Sequence, residues 1–226
     1  MTLLTSAELG YFQQLAAGTV ITIELAVSGY LLALISGTVV GLVTLSSNWL
    51  IQAVWRVYAS IIMGVPSLLV IFLFYYGGSA VLEGVISITP FGAGLTALAV
   101  VYTVYVAELV RGAVRNVPRG QFEASAALAI QPLSAWCHVI MPQAIRIALA
   151  GLITIWMVVL KDTALVSLAG LNDLVAHAKT AAGATKEPFI YFIVASLFFV
   201  VFSALTLRAS ARLERRFGRG LAVAKA

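Results

Sequence analysis

With 62% hydrophobic and only 10% charged side chains over 226 residues, and a mean hydropathy of +1.03, the chain lies far below the roughly 25% charge of a water-soluble domain. It reads as an integral membrane protein. A single cysteine, Cys137, excludes an intrachain disulfide framework and a thiolate metal cluster, and the formal charge of +5 invites a nucleic-acid reading until the basic residues are located.

Residues 1–15 hold no lysine or arginine, so a cleavable leader with a positive start is not expected. The first apolar run, about 15–45, is long enough to cross some 30 Å of hydrocarbon with tilt. Its Gly37 and Gly41 are spaced to let another backbone approach closely. Glu24 near its start reads either as a transport carboxylate or as a charge at the outer interface or in the helix's first turn. A second run, about 57–82, follows Trp49, Trp55 and Arg56 and contains Gly64 and Pro66. A proline there predicts a bent helix, serving either a gating motion or simple packing.

The third run, about 91–112, carries Tyr102, Tyr105 and Glu108. Tyr105 and Glu108 share a face, which either lines an aqueous path or leaves Glu108 to pair with Arg111 or Arg115 at the helix end. A fourth run, about 145–171, has Lys161, Asp162 and Thr163 inside it. Either these mark an interrupted helix on a transport path or the helix stops at Leu160 and they lie at its outer end. Residues 172–187 read as a polar loop with an isolated, solvated His177. A fifth run, about 189–210, leads into the basic tail LRASARLERRFGRG.

Five spans put the termini on opposite sides, and the positive-inside rule chooses between them. Arg56, then Arg111, Arg115, Arg119 and Arg146, then the tail arginines and Lys225 fall on one side; Lys161, Lys179 and Lys186 fall on the other. The N-terminus is therefore expected outside and the C-terminus in the cytoplasm. A basic cytoplasmic rim also accounts for the net charge, so no nucleic-acid partner is expected.

Between spans three and four, residues 117–146 form the one long polar stretch, VPRGQFEASAALAIQPLSAWCHVIMPQAIR. Helix formers over 121–128 and again over 133–140, separated near Pro132 and stopping before Pro142, predict two short helices that make a knob on the cytoplasmic face. Such a knob suits a groove on a soluble partner, with Ala124 and Ala127 as apolar anchors.

The spacing of Glu123, Ala124, Ser125, Ala129, Val139, Met141 and Pro142 resembles the EAA signature of ABC importer permeases. The flanking strings GQFEAS at Gly120, MPQAIR at Met141, KDTALVS at Lys161 and LERRF at Leu213 look like the subfamily that imports polar amino acids and opines. The likeness covers about 18–217. Ser125 and Ala129 depart from the signature's alanine and glycine. Since alanine disfavours a left-handed backbone, the turn between the short helices is expected to be made another way, with Pro132. MGVP at Met63–Pro66 stands where many relatives carry arginine, glycine, threonine and proline.

The resemblance implies an all-α permease domain of about five transmembrane helices in a bacterial inner membrane. Gly120, Gln121, Glu123, Ala124, Ser125, Ala129 and Pro142 would belong to a coupling loop that docks on a separate ATPase. The chain has no phosphate-binding G-x4-G-K-[ST] loop, so no cofactor is expected on it, and ATP with magnesium would sit on the partner. A second permease subunit, unlike this one in preference to identical, and a periplasmic solute-binding protein complete the implied assembly. For a solute with an ammonium or guanidinium, Asp162 is the first choice in the path and Glu108 the second, with Thr163, Ser167 and Tyr105 as hydrogen-bonding groups. The rival reading is a self-contained ion- or proton-coupled carrier or channel. A membrane-embedded enzyme finds no acid, base and nucleophile at workable spacing.

Overall fold

The computed structural model describes residues 6–78 and 89–217. The last part of the expected second span, 79–82, and the tail's Arg219 and Lys225 lie outside the described residues. Every regular element among those described is helical. They are α1 (Ser6–Val43), α2 (Trp49–Gly64), α3 (Ser67–Phe72, continuing in a π-type turn, Leu73–Gly77), α4 (Pro90–Arg115), α5 (Arg119–Ala127), α6 (Pro132–Ala135), α7 (Met141–Val166), α8 (Leu174–Thr185) and α9 (Pro188–Phe217). Among the described residues, four helices are long and apolar enough to cross a membrane, and a fifth crossing is counted if α2 and α3 form one broken span.

Local chemistry sets the element starts. Asn48 Oδ1 accepts from the Leu50 amide at 2.9 Å to open α2, and Thr89 Oγ1 accepts from Gly92 at 3.0 Å ahead of Pro90. Both satisfy amides that have no partner within the helix. Gly170, with φ at +89°, ends the 3-10 turn Ser167–Ala169 that follows α7, a left-handed position that suits glycine.

Helix α4 is the hub. Gly29 of α1 lies against Leu98, Gly37 against Val106 and Gly41 against Val110, each 69 positions apart, so α1 and α4 run side by side in the same direction. A Cβ on Gly37 would stand 2.6 Å from Val106 Cβ. The two backbones come that close because the small-residue pair leaves the room. Helix α7 runs the opposite way along α4, with Val166 beside Gly94 and Gly151 beside Leu109. The main core gathers Leu25, Ala97, Leu98, Val101, Tyr102, Val159 and Val166 from these three helices with Ile71 of α3.

The register of α1 also places Glu24. It is far into α1, not in its first turn, and the same offset sets it level with Ala93, near the Pro90 end of α4. Glu24 is exposed there.

One expectation holds and two are corrected. The second span is bent, as expected, and the bend is a full break: α2 stops at Gly64, Val65 and Pro66 are extended, and α3 leaves at 101°. Val65 precedes a proline, which disfavours the helical region, and Pro66 has no amide to continue the ladder. The stretch read as a polar loop contains α8, a helix capped by Asp173 whose Oδ1 accepts from Ala176 at 2.9 Å. Its Leu174, Ala178, Ala181 and Ala182 pack on Leu15, Tyr191 and Ala195, and His177 is a half-buried helical residue whose ring edge lies close to Gly18. Finally, the second short helix does not stop before Pro142. α6 runs through a π-type turn, Trp136–Ile140, straight into α7, and Pro142 sits in the first turn after that change of register, where a missing amide costs little.

Candidate functional site

Two places concentrate polar chemistry: a cavity at the break in the second span, and the knob formed by α5 and α6. Helix α4 has 26 residues, and Tyr102 stands 12 positions from Pro90 and 13 from Arg115. It is therefore roughly 18–20 Å from either end at 1.5 Å per residue, at mid-depth. At that level Asp162 Oδ2 accepts two hydrogen bonds, one from Tyr102 Oη at 2.7 Å and one from Ser67 Oγ at 2.7 Å.

The three residues arrive from three elements. Tyr102 is buried in the main core. Ser67 is the first residue of α3, just past the break. Asp162 lies in α7, which passes unbroken through Lys161 and Asp162 to Val166, so α7 neither stops at Leu160 nor is interrupted there. The broken span is the one facing Asp162.

A cavity of about 540 Å³ opens here, bounded by Met63–Ser67, Val101, Tyr102, Tyr105, Thr154, Ile155, Val158 and Asp162. Among the described residues, Asp162 is the one carboxylate in this lining and no basic side chain joins it. The carbonyl end of α2 at Gly64 and the amide end of α3 at Ser67 both reach the cavity wall, and their opposite partial charges offset one another. The formal charge in the described lining is that of Asp162.

Of the residues proposed from sequence, Asp162 and Tyr105 border this cavity. Thr163 is fully buried, and its hydroxyl donates to the Leu160 carbonyl at 2.8 Å. Ser167 donates to Ala164 O at 2.7 Å. Glu108 is six positions further along α4 toward Arg115, where its Oε1 accepts from the Trp55 indole and from Arg111, which is the paired arrangement among the two considered. Arg111 is thereby a buried partner rather than a free rim charge. Lys161 is exposed and outside the lining. Ser67, Tyr102 and Thr154 complete the polar lining. Of these, only the tyrosine-rich run around Tyr102 and the proline next to Ser67 gave any sign in the sequence.

At the knob, Gly120, Gln121, Glu123, Ala124, Ala129 and Pro142 are exposed, and Ser125 is buried. The turn between the short helices uses Ala129 itself in the left-handed region, with φ at +52°, against the expectation that alanine would avoid it. The Ile130 amide donates to Ser125 O at 3.1 Å and the Ala129 amide to Ala126 O at 3.0 Å, a Schellman closure that satisfies the last carbonyls of α5 and holds the strained residue in place. Pro132 then opens α6. Phe122 packs edge-on against Trp136, Gln143 Nε2 donates to Gln121 Oε1 at 3.1 Å, and Ile140, Ala144, Val114 and Val117 form the base. The knob is fastened to α4 and α7 together, while Leu128 and Leu133, 73% and 76% exposed, project from it. Among the described residues no group of histidine, cysteine and carboxylates could hold a metal ion.

Comparison with known proteins agrees with this arrangement. The profile of the family described as binding-protein-dependent transport system inner membrane component matches residues 29–219. The nopaline transport system permease protein NocQ of Agrobacterium fabrum is 34% identical, covering 98% of each chain. The histidine/lysine/arginine/ornithine transport system permease protein HisQ of Escherichia coli is 35% identical over 94% of this chain and 96% of its own. Among solved structures, one described as an amino acid ABC transporter with histidines superposes with a TM-score of 0.84 at 30% identity, covering 96% of this chain and 100% of the other. A mid-depth polar cavity beside a broken span, in a helical fold shared with these permeases, makes the conclusion plain: the chain belongs to the binding-protein-dependent transport system inner membrane components, among the ABC permeases for amino acids and opines.

Proposed function

We propose that this chain is one half of the transmembrane path of an ATP-driven importer for a cationic amino acid or opine, in a bacterial inner membrane. The observation that carries the reading is the carboxylate of Asp162, held at mid-depth in a cavity lined, among the described residues, by no basic group. Asp162 is half-buried and has two hydroxyl donors and no cation on it among the described residues, so a cationic group entering the cavity meets a ready counter-charge. Relatives named for nopaline and for histidine, lysine, arginine and ornithine carry solutes with such groups.

The solute's own carboxylate finds no cation in this lining. A second, unlike permease subunit closing the open side would supply it, and would also add spans to a half-path of five. The knob of α5 and α6, with exposed Glu123, Ala124, Leu128 and Leu133, is the surface for the ATPase. It is rigidly joined to α4 and α7, so a movement imposed on it reaches the helices that carry Tyr102 and Asp162. Under this reading the basic side is cytoplasmic, the N-terminus is outside, ATP and magnesium reside on the partner, and a periplasmic solute-binding protein delivers the solute.

The test is Asp162→Asn in the complete complex reconstituted in proteoliposomes. Uptake of arginine should fall by about a hundredfold, the size of losing one well-placed charge partner. Unchanged uptake and unchanged solute-stimulated ATP hydrolysis in a fully assembled complex would overturn the assignment.

A further inference from the structure

The two donors on Asp162 differ in how they are mounted. Tyr102 is 4% exposed and packed among Ala97, Leu98, Val101, Val159 and Val166. Ser67 begins a short helix that follows a 101° break. The preceding limb, α2, has only Trp55 and Ala59 buried among its 16 residues. Both hydroxyls donate to the same oxygen, Oδ2, and Oδ1 has no hydrogen-bond partner among the described residues. One bond therefore fixes the carboxylate to the rigid wall of the cavity, and the other ties to it the break beyond which the lightly packed α2 lies.

We infer that the Ser67 hydroxyl is a positioning group that couples solute occupancy at Asp162 to the break in the second span. This rests on Asp162 being the solute's cation partner. With the cavity empty, the Ser67 hydroxyl donates to a carboxyl oxygen that has no cation beside it, and this bond pins the start of α3 against α7. When an ammonium or guanidinium occupies Oδ1, it withdraws charge from the whole carboxylate, and a hydroxyl donates less strongly to a neutralised acceptor. The Tyr102 bond weakens as well, but burial holds the ring in place. Ser67 itself is only half-buried, while Val70 and Ile71 keep the rest of α3 in the core, so what is released is the break at Val65 and Pro66 and the lightly packed α2 before it. Occupancy is thereby converted into freedom of the one span already broken, without a separate sensor.

The experiment compares Ser67→Ala, Ser67→Thr and Asp162→Asn in the assembled transporter, with its permease partner, ATPase and solute-binding protein, using arginine as the probe. In Ser67→Ala the span is released permanently. Solute-free ATP hydrolysis should rise about fivefold toward the stimulated rate, while the KM for uptake shifts less than about threefold, because the cation partner remains. Solute moved per ATP falls, and Ser67→Thr, which keeps the hydroxyl, restores the wild-type ratio. A wild-type ratio of stimulated to solute-free hydrolysis in Ser67→Ala overturns the inference. If that result comes with lost uptake in Asp162→Asn, the solute site survives and only the coupling role falls; unchanged uptake in Asp162→Asn removes both. Should Ser67→Ala fail to assemble, spin labels at Val57 of α2 and Ile145 of α7, both exposed, report the same motion in a Cys137→Ser background. Arginine should broaden or shift their distance distribution, and an unchanged distribution overturns the inference.

Discussion

The third span and the second present opposite kinds of wall to the same cavity. Helix α4 is unbroken for 26 residues and buries thirteen of them, from Ala93 to Val114, against α1 on one side and α7 on the other. The α2–α3 pair breaks at Val65 and Pro66, and its longer limb buries only Trp55 and Ala59. Burial is the main source of helix stability in proteins, so the first wall is fixed by its packing and the second is held by a few specific contacts. A transport path needs both: a fixed wall keeps Tyr102 and Asp162 in register, and a lightly held one can move on the time scale of turnover.

The largest effect expected from this contrast is at the α1–α4 contact. Leucine at Gly37 would drive its side chain into Val106, whose Cβ lies 2.6 Å from where the first added carbon would be. Overpacking of this kind costs roughly 1–3 kcal/mol, and more where a backbone must move. Gly37→Leu should therefore lower the melting temperature of the detergent-solubilised chain sharply or prevent its accumulation. The same side chain introduced at Ser60, exposed on α2, should change stability by no more than about 0.5 kcal/mol. Equal penalties at the two positions would erase the distinction between the walls.

The next effect is at the fastening of α2. Glu108 of α4 accepts from the Trp55 indole and from Arg111, and Arg111 is 8% exposed. Glu108→Gln keeps an acceptor for the indole but leaves the guanidinium without its counter-charge. Because the Glu108 side chain is itself 39% exposed, solvent screens part of the loss, and the cost should be about 1–2 kcal/mol. Trp55→Phe removes the indole bond together with part of a buried ring and should cost about 2 kcal/mol, with proteolysis of α2 rising before that of α4. If α4 becomes protease-sensitive first, the tie belongs to the rigid wall and not to the mobile one.

What was legible in the sequence follows the same division. The long apolar runs and the Gly37–Gly41 spacing announce the rigid wall, because hydropathy and small residues act locally. The break was visible as Gly64 and Pro66, but its 101° turn depends on what lies opposite. Nothing in the sequence sets α4 against α7 so that Tyr102 meets Asp162 across 60 positions; that register comes from close approaches such as Gly94 on Val166. Asp162 was legible as a charge out of place, and Ser67 was not, since a serine after a proline is an ordinary helix start. Helix α8 was missed because its buried face is mostly alanine, which contributes little to an apolar pattern and was outweighed by Asp173, His177 and Lys179.

A smaller effect separates two carboxylates. Asp162 has both its hydrogen bonds on one oxygen, whereas Asp173, between the apolar spans, is fully buried with one bond at Oδ1 and none at Oδ2 among the described residues. Burial pushes the Asp173 carboxyl up to about 6 from 3.8, against the lowering effect of the amides at the start of α8. The folded state then holds this proton more tightly than the unfolded chain, so the stabilisation is present while the group is protonated and is lost as pH rises from about 4 through about 6. Asp173→Asn keeps an acceptor for Ala176 and removes the buried charge. It should raise stability at pH 7.5 by roughly 1–2 kcal/mol and flatten the thermal stability profile between pH 4 and 6, with no gain at the acid end. A gain that is the same at every pH would mean that the charge is not the cause.

The smallest effect lies in the knob, where a rigid element contains one strained residue. Ala129 holds φ at +52°, a conformation that costs an L-residue roughly 1–2 kcal/mol, and the closure through Ser125, Ala126 and Ile130 keeps it there. Glycine would shed most of that strain but lose about 0.5–1 kcal/mol in backbone entropy, so Ala129→Gly should stabilise by no more than about 1 kcal/mol. Ala129→Val adds branching at Cβ to the same geometry and should destabilise by about 1 kcal/mol or more. Hydrogen exchange locates the change: the Leu128 and Ile130 amides, bonded to Ala124 O and Ser125 O, should exchange more slowly in the glycine variant and faster in the valine variant, while those of α4 stay as they are. Slower exchange spreading through α4 would show that strain at the turn is transmitted to the rigid wall, and the knob and the span would then have to be treated as one cooperative unit.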